Sequence, residues 1–241
     1  MQYDFFFCSP GVSFYLKKKD MCGRYALFEQ LDEIDHFLGI LDRTGEITPN
    51  YNVAPTHTMP VVVNSAGRPE MEMMHWGFMG WKPKPGERPF LPVNTRAESI
   101  SSKAMWKKSL LQRRCLVPMN GFYEWAGSKS NKTPFYIHGT NEPFLVAAGI
   151  YSELSPIDGS RSFSVITTSP NKVMENIHDR MPAFLHPSEF ADWLKSDHSE
   201  EYLSDLLRPY PDDAIEAYRV SKDVGNVRNN HPGLVVKADL F

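Results

Sequence analysis

Short apolar segments separated by turn residues fill the middle of this 241-residue chain, and they limit the folds it can adopt. Residues 61–64 and 71–76 are strand-like and flank a Ser-Ala-Gly-Arg-Pro turn, which predicts a β-hairpin. By the same criteria, further strands are expected at residues 115–117, 133–138, 144–151 and 163–167. Strands therefore dominate the middle of the chain, and its core is expected to form around β-sheet.

Helical patterns occur mainly toward the ends of the chain and between the strands. Residues 28–41 carry apolar side chains at spacings of three and four, as an amphipathic helix does. Two more helices are expected to begin near Pro170 and Pro187, because proline suits the first turn of a helix. The proline-rich residues 82–86 are expected to form a loop. The sequence thus predicts an α+β fold, a single domain with a mostly antiparallel or mixed β-sheet core and flanking helices.

The composition narrows the classes of function. No apolar run approaches the roughly 20 residues that a membrane-spanning helix needs. The chain has only three cysteines, which is typical of a reduced intracellular protein, so a cytoplasmic location is expected. The formal net charge is −3, so any nucleic-acid binding must come from a local basic patch and not from overall charge.

The tetrapeptide MCGR at residues 21–24 carries the strongest chemical signal. Translation from Met21 followed by removal of the methionine would make Cys22 the first residue. Its α-amine could then condense with an aldehyde, and its thiol could close a five-membered thiazolidine ring. The α-amine has a pKa of about 7.7–8.0, so a useful fraction is neutral near pH 7. The motif therefore predicts a covalent trap for aldehydes.

Residues 1–20 precede this motif and would block the amine if they were retained. They do not resemble a secretory signal, because the lysine cluster at 17–19 follows the apolar stretch instead of preceding it. They could be a propeptide that is removed before Cys22, or a translated upstream stretch whose true start codon is that of Met21. We favour the second explanation, because Lys-Lys-Lys-Asp requires a purine-rich run that can resemble a ribosome-binding site. The functional domain is expected to span residues 21–241.

Three further clusters contain groups suited to catalysis. Asn94, Arg96 and Glu98 would share one face of an extended NTRAE segment, although such a segment can also be a polar rim. Glu124 lies among aromatic residues in GFYEW, and burial there would raise the pKa of its carboxyl group toward the range useful for acid–base catalysis. A solvent-facing Glu124 would only add solubility. His178 lies beside an acid and a base in IHDRMP, although a lone histidine is more often structural.

Six motifs along the chain occur in the order found in one protein family. They are MCGR, NTRAES, RCLVPMNGFYEW, AGIY, TTSPN and IHDRMP. In this order they resemble the SRAP family, the SOS response-associated peptidase proteins, which are also called abasic site processing proteins. The resemblance extends from residue 21 to about residue 236 and implies the SRAP fold.

The resemblance also implies an activity. In that family, the N-terminal cysteine captures the ring-opened aldehyde of an abasic site in single-stranded DNA as a thiazolidine crosslink, which shields the lesion. Cys22 matches this cysteine, Glu124 matches the catalytic glutamate and His178 matches the catalytic histidine. Asn94 matches the asparagine beside the trapped sugar. No cofactor and no metal are expected.

Contacts with DNA are expected around these residues. Arg24 and Arg96 match family arginines that hold phosphates, and they are also expected to favour the Cys22 thiolate. Other basic candidates for phosphate contacts are Lys107, Lys108, Arg113, Arg114 and Lys172. Aromatic candidates for stacking on bases are Trp76, Phe78 and Trp81, although such residues are more often part of the core.

The expected partner is single-stranded DNA with abasic sites, including sites at junctions with duplex DNA. The protein is expected to act as a monomer, in the cytoplasm and on the nucleoid when bound to DNA. The sequence departs from the family pattern in one loop, because Trp76 to Trp81 lacks a proline and is one residue shorter.

Other classes of function stay open. The family name and the set Cys22, Asn94, Glu124 and His178 also fit a cysteine peptidase, whose self-directed reaction could remove the leader. Cleavage of the DNA strand could compete with trapping, which would be a lyase activity. A noncovalent DNA-binding module would bind in a salt-dependent way without crosslinking. A zinc enzyme built from His57, His75, His178 or His186 is the least favoured, because these histidines lack a recognised ligand spacing.

Overall fold

The computed structural model describes residues 3–9, 12–17, 22–29, 31–40, 48–79, 91–128, 131–155 and 159–238. The strands in these residues are β1 Tyr3–Ser9, β2 Val12–Lys17, β3 Tyr25–Leu27, β4 Asn50–Val53, β5 Thr58–Ser65, β6 Arg68–Trp76, β7 Asn94–Arg96, β8 Arg114–Met119, β9 Gly121–Ser128, β10 Asn131–Gly139, β11 Leu145–Tyr151, β12 Ser162–Thr168, β13 Met181–Pro182 and β14 Ile215–Arg219. The α-helices are α1 Leu31–Leu38, α2 Ala97–Ile100, α3 Ala104–Gln112, α4 Phe190–Leu194 and α5 Glu200–Asp205. Short 3₁₀ helices cover Pro187–Glu189, Asp212–Ala214, Lys222–Gly225 and Pro232–Val235. In this described part of the chain, no helix has the length and apolar character needed to cross a membrane.

The larger sheet has seven strands, in the order β11-β8-β5-β6-β12-β13, with β7 beside β12. Strand β12 pairs with β11 along one edge and with β6 along the other, so the sheet closes on itself. It runs parallel to β6 and β7, whereas the other pairs in this sheet are antiparallel. The expected α+β class with a mixed sheet is therefore confirmed.

The predicted hairpin is formed by β5 and β6. Ala66 and Gly67 at its tip have φ angles of 50° and 87°, which a two-residue type I′ turn requires. The Asn64 side chain accepts a hydrogen bond from the Gly67 amide at 2.8 Å. The four other predicted strands are also confirmed, as β8, β10, β11 and β12.

The smaller sheet has five antiparallel strands in the order β14-β10-β9-β3-β4, and it packs against the larger sheet. Tyr25 of β3 contacts Trp76 of β6 edge-on, with 5.1 Å between the ring centroids. Phe122 of β9 contacts Phe184, which bridges to β11, at 5.6 Å. The apolar core thus lies between the sheets. The leader strands β1 and β2 pair with each other as a separate two-stranded sheet.

The helix predictions are only partly confirmed. The helix expected over 28–41 is shorter, because Gly39 with a φ of 68° follows its last residue, and residue 41 lies outside the described residues. The helix expected near Pro170 is wrong, since Asn171 holds the Met174 amide through both its carbonyl and its side chain in a short turn. The helix expected from Pro187 begins as a 3₁₀ turn and continues as α4. The loop expected at 82–86 lies outside the described residues.

Candidate functional site

Side chains with reactive atoms converge where the two sheets meet. Cys22 lies in the segment that leads into β3 of the smaller sheet and Glu124 lies in β9 of that sheet, whereas His178 precedes β13 of the larger sheet. The Cys22 sulfur, a Glu124 oxygen and a His178 nitrogen all lie within 4.8 Å of one another. Asn94 at the start of β7 donates a hydrogen bond from Nδ2 to the Cys22 carbonyl at 3.1 Å. The four residues expected to be catalytic are therefore neighbours.

Cys22 is almost fully enclosed, with 4% of its surface exposed. Its thiol donates a long hydrogen bond to the Arg180 carbonyl at 3.7 Å. A cavity of about 10 Å³, with room for about one water molecule, borders it. The cavity is lined by Cys22, Arg24, Tyr25, Trp76, Met119, Phe122, Val165 and Pro182.

Glu124 is buried, with 3% of its surface exposed, and its Oε1 atom has no hydrogen-bond partner among the described residues. Burial raises the pKa of its carboxyl group to about 8, although the neighbouring Cys22 thiol opposes the shift. The raised pKa expected for Glu124 from its aromatic surroundings is therefore confirmed. Much of this carboxyl group is protonated at neutral pH, so it can act as an acid.

The Cys22 thiol also has a pKa well above its ordinary value. Burial is the main cause, and the negative charge of Glu124 adds to it. The cation that opposes this shift is Arg180. The expectation that Arg24 and Arg96 favour the thiolate is therefore wrong, because burial and Glu124 dominate. The resting thiol is protonated.

His178 is held by the backbone of Arg180. The Arg180 amide donates to His178 Nδ1 at 3.1 Å, and the Arg180 carbonyl lies 3.2 Å from the same nitrogen. His178 Nδ1 is 3.9 Å from Glu124 Oε1 and 3.4 Å from Asp179 Oδ1. The imidazole retains 20% side-chain exposure, so it lies at the mouth of the site and can reach a bound molecule.

Arg180 is the residue of the site that the sequence interpretation missed. Its guanidinium forms two hydrogen bonds with Glu98, at 2.7 and 2.9 Å, and one with the Thr167 carbonyl at 2.5 Å. Its backbone contacts both the Cys22 thiol and His178. The sequence signal that could have identified Arg180 is its position two residues after His178 in the IHDRMP motif. Glu98 was expected to extend along a strand, but it lies in α2 and reaches Arg180 from there.

Arg24 is part of an internal network beside Cys22. Its Nη1 donates to Asn52 Oδ1 at 2.7 Å and to the Val224 carbonyl at 2.8 Å, and its guanidinium lies 5.8 Å from the Trp125 ring. Burial lowers the pKa of Arg24. The buried Asn52 in turn donates to the carbonyls of Val224, Asn226 and Asn229. The network ties the segment that carries Cys22 to the C-terminal turns, and phosphate binding by Arg24 stays a prediction.

The other basic candidates differ in their surroundings. Arg96 ends β7 with an exposed side chain and remains a candidate for phosphate contact. The positive charge of Arg96 lowers the pKa of the Glu98 carboxyl group. Other cations also lie beside carboxylates, in the pairs Lys107–Glu200, Lys108–Glu153, Arg113–Glu153 and Lys172–Asp212. DNA phosphates would have to compete with these acidic partners.

The prediction that Trp76 and Phe78 stack on bases is wrong. Only 1% of Trp76 and 2% of Phe78 are exposed. Trp76 stacks on Phe163 and donates its indole N–H to the Val93 carbonyl at 3.0 Å, while Phe78 packs edge-on against Trp106. Both aromatic rings belong to the core, so no base can reach their faces. Trp81 lies outside the described residues.

The prediction that Arg114 binds phosphate is also wrong. The residue is 5% exposed, and it donates to the carbonyls of Leu110, Trp193 and Lys195. Its guanidinium also lies over the Trp193 ring at 5.7 Å. Arg114 therefore attaches α4 to the sheet.

We expect Arg114→Met to lower the free energy of unfolding by about 2–4 kcal/mol, because it leaves buried carbonyls without donors. Urea unfolding measures this loss, and anisotropy with labelled single-stranded DNA should show an unchanged affinity. The matched control is Arg113→Met, which removes a partly exposed ion pair and should cost less than about 1 kcal/mol. A stable Arg114→Met protein with weakened DNA binding would contradict this assignment.

The site also contains a group of side chains that could bind a metal ion. Within the described residues, Cys22, Glu124 and His178 form the group whose ligand atoms lie close enough to share an ion. The zinc centre considered from His57, His75, His178 and His186 is wrong, because the structure does not bring these histidines together.

The fold and the site define an α+β protein in which a buried cysteine, a buried glutamate and a partly exposed histidine meet where two sheets join. Residues 21–227 match the family model described as SOS response associated peptidase (SRAP). The chain belongs to the SRAP family.

Two relatives illustrate the range of the family. Abasic site processing protein YoqW of Bacillus subtilis (strain 168) is 35% identical over 225 residues, which cover 89% of this chain and 99% of that protein. Abasic site processing protein HMCES of Xenopus tropicalis is 29% identical in an alignment that covers 88% of this chain and 77% of that protein. A crystal structure of a protein from Bacteroides thetaiotaomicron is similar with a TM-score of 0.77 at 25% identity, covering 90% of this chain and 100% of that one.

Proposed function

We propose that this protein acts on abasic sites in single-stranded DNA and crosslinks to them through Cys22 as a thiazolidine. The observation that carries the proposal is the group of Cys22, Glu124 and His178, whose reactive atoms lie within 4.8 Å of one another. The names of the relatives, abasic site processing proteins, support the substrate. The family match begins at residue 21, which supports a functional chain that starts there.

The first half of the reaction needs an acid. The neutral α-amine of Cys22 attacks C1′ of the open-chain aldehyde, and a proton moves from nitrogen to oxygen to give a carbinolamine. Glu124, protonated because its pKa is about 8, gives its proton to the hydroxyl group, which leaves as water. The products are an iminium ion and a Glu124 carboxylate.

The second half needs a base at the same place. The Glu124 carboxylate takes the proton of the Cys22 thiol while the sulfur attacks the iminium carbon. The C–S bond closes the thiazolidine, the positive charge on nitrogen disappears and Glu124 regains its proton. The high pKa of the thiol suits this order, because the thiol keeps its proton until the carboxylate has formed.

The neighbouring residues have supporting roles. His178, at the mouth of the site, donates a proton to the sugar ring oxygen as the aldehyde opens. Asn94 fixes the Cys22 backbone through the carbonyl hydrogen bond, which positions the α-amine. Arg96, with its exposed side chain, holds a flanking phosphate.

A cysteine peptidase is less well supported. A peptidase nucleophile is activated as a thiolate, usually by a neighbouring imidazole. Here burial and Glu124 raise the pKa of the thiol, and His178 Nδ1 is hydrogen-bonded to the Arg180 amide. Cleavage of an unrelated protein substrate that disappears in Cys22→Ala would reverse this ranking.

The test uses two proteins, one that begins at Met1 and one that begins at Met21. Each is mixed with single-stranded DNA that carries one abasic site, and the products are analysed by denaturing gel and intact mass. We expect a heat-stable adduct only with the protein whose first residue is Cys22 after methionine removal. A noncovalent complex that disappears on denaturation would contradict the proposal.

A further inference from the structure

The cluster of Cys22, Glu124 and His178 has the composition of a metal site. It offers a thiol, a carboxylate and an imidazole from three separate segments of the chain, with their ligand atoms within 4.8 Å of one another. His178 Nδ1 and Glu124 Oε1 are 3.9 Å apart. Ligands of a tetrahedral zinc ion, at bond lengths of about 2.0–2.3 Å, lie about 3.3–3.8 Å apart. Small side-chain rotations, together with release of His178 Nδ1 from the Arg180 amide, would therefore bring these atoms to zinc distances.

The type of ligand also favours zinc over other common ions. Magnesium and calcium prefer oxygen ligands, whereas zinc accepts sulfur, nitrogen and oxygen together. A cysteine at the N-terminus adds its α-amine, because the amine and the thiol of one residue can close a five-membered chelate ring. Cys22, Glu124 and His178 would then supply four ligands, which completes a tetrahedron.

The charge of the site supports a divalent cation. Glu124 Oε1 is buried and has no hydrogen-bond partner among the described residues. Arg180, the cation beside the thiol, has its guanidinium bound to Glu98 and the Thr167 carbonyl. A thiolate and a carboxylate together carry two negative charges, which one zinc ion neutralises.

We propose that Cys22, Glu124 and His178 bind one zinc ion, with the Cys22 α-amine as the fourth ligand, and that bound zinc blocks crosslinking to DNA. The second half of this statement rests on the proposed function, because zinc occupies the amine, thiol and carboxylate that capture requires. Binding replaces the protons of the thiol, of Glu124 and of the α-amine, so at neutral pH up to three protons are released for each zinc ion.

Direct binding tests the site without DNA. Zinc is titrated against a chromophoric chelator with the protein that begins at Cys22, and cobalt is added in parallel. We expect one ion per chain in the micromolar range or tighter, and the thiolate-to-metal absorption band and tetrahedral ligand-field bands with cobalt. Weaker binding than this, or cobalt without a sulfur band, would overturn the proposal.

Substitutions of the three residues test whether each one binds the zinc ion. Cys22→Ser, Glu124→Gln and His178→Ala should each weaken zinc binding at least about tenfold, since even residues that only orient metal ligands change affinity by about 10–100-fold. The matched control is His36→Gln, which removes an exposed histidine on α1 and should leave the affinity unchanged. The protein beginning at Met1 should bind zinc more weakly, because its Cys22 has an amide in place of the amine. Equal affinity in all variants would mean that zinc binds elsewhere.

A crosslinking assay distinguishes failure of the zinc proposal from failure of the proposed function. Equimolar zinc should suppress adduct formation with abasic DNA, and a chelator should restore it in full. Normal crosslinking without tight zinc binding would refute the zinc site alone. Tight zinc binding by a protein that never crosslinks would refute the proposed function and leave the metal site standing. Crosslinking that continues in the zinc-loaded protein would overturn the inhibitory part.

Discussion

Cys22→Ser is expected to eliminate the heat-stable crosslink to abasic DNA, a loss of at least about 100-fold in adduct yield. The variant keeps the α-amine, so it can still form the imine, but a hydroxyl group is a much weaker nucleophile than a thiol and does not close a stable ring. Denaturing gels of samples heated before loading measure the loss. Reduction with borohydride should recover an adduct, because it traps the imine.

The control for this prediction is Cys115→Ala. Cys115 is buried in β8 within the core and lies outside the group of Cys22, Glu124 and His178. Its loss should leave crosslinking unchanged once folding has been checked by circular dichroism. A Cys22→Ser protein that forms heat-stable adducts in normal yield would show that another residue carries the covalent chemistry.

The arrangement of the candidate site could be anticipated in part from the sequence. Cys22, Asn94, Glu124 and His178 each belong to a short motif, and the order of these motifs identified the family. The aromatic residues around Glu124 made its burial one of two interpretations of the sequence, and the structure shows that it is buried. The sequence could not show which groups contact each other inside the site. The Arg180 backbone holds both the thiol and His178, and that depends on how β13 meets β3 across two sheets.

The wrong predictions for Arg114, Trp76 and Phe78 have one physical cause, because the sequence does not show whether a side chain faces the core or the solvent. Arg113 and Arg114 look alike in sequence, but Arg113 directly follows α3 and is partly exposed, whereas Arg114 begins β8 and is buried. Only the structure shows that α4 covers the side of Arg114 and supplies carbonyls to it. The same applies to Trp76 and Phe78, because the sequence does not distinguish an aromatic side chain that faces the core from one that faces DNA.

The role of Asn52 shows a second limit of sequence interpretation. Its side chain binds carbonyls more than 170 residues away, in the C-terminal turns. No local pattern encodes such a contact. The network of Asn52 and Arg24 therefore emerges only when the two ends of the domain are placed together.

Glu124→Gln is expected to slow crosslinking by about 10²–10⁴-fold and to change the shape of its pH profile. In the wild-type protein the rate should rise as the α-amine, with a pKa of about 7.7–8.0, loses its proton. It should fall again as pH increases through about 8, because Glu124 then loses the proton that it must donate. The profile is therefore a narrow bell near pH 8. Single-turnover rates between about pH 6 and pH 10 measure it.

Glutamine cannot titrate, so the variant should keep the rising limb and lose the falling limb. Stability provides an independent check. A carboxyl group whose folded pKa is raised favours the folded state below its ordinary pKa, and this contribution is lost as pH rises through the folded value. The Tm of the wild-type protein should thus fall between about pH 5 and pH 8 by more than that of Glu124→Gln, which has no charge to bury. A falling limb that persists in the variant would assign the acid to another group, and equal Tm shifts would show that Glu124 is not the buried acid near pH 8.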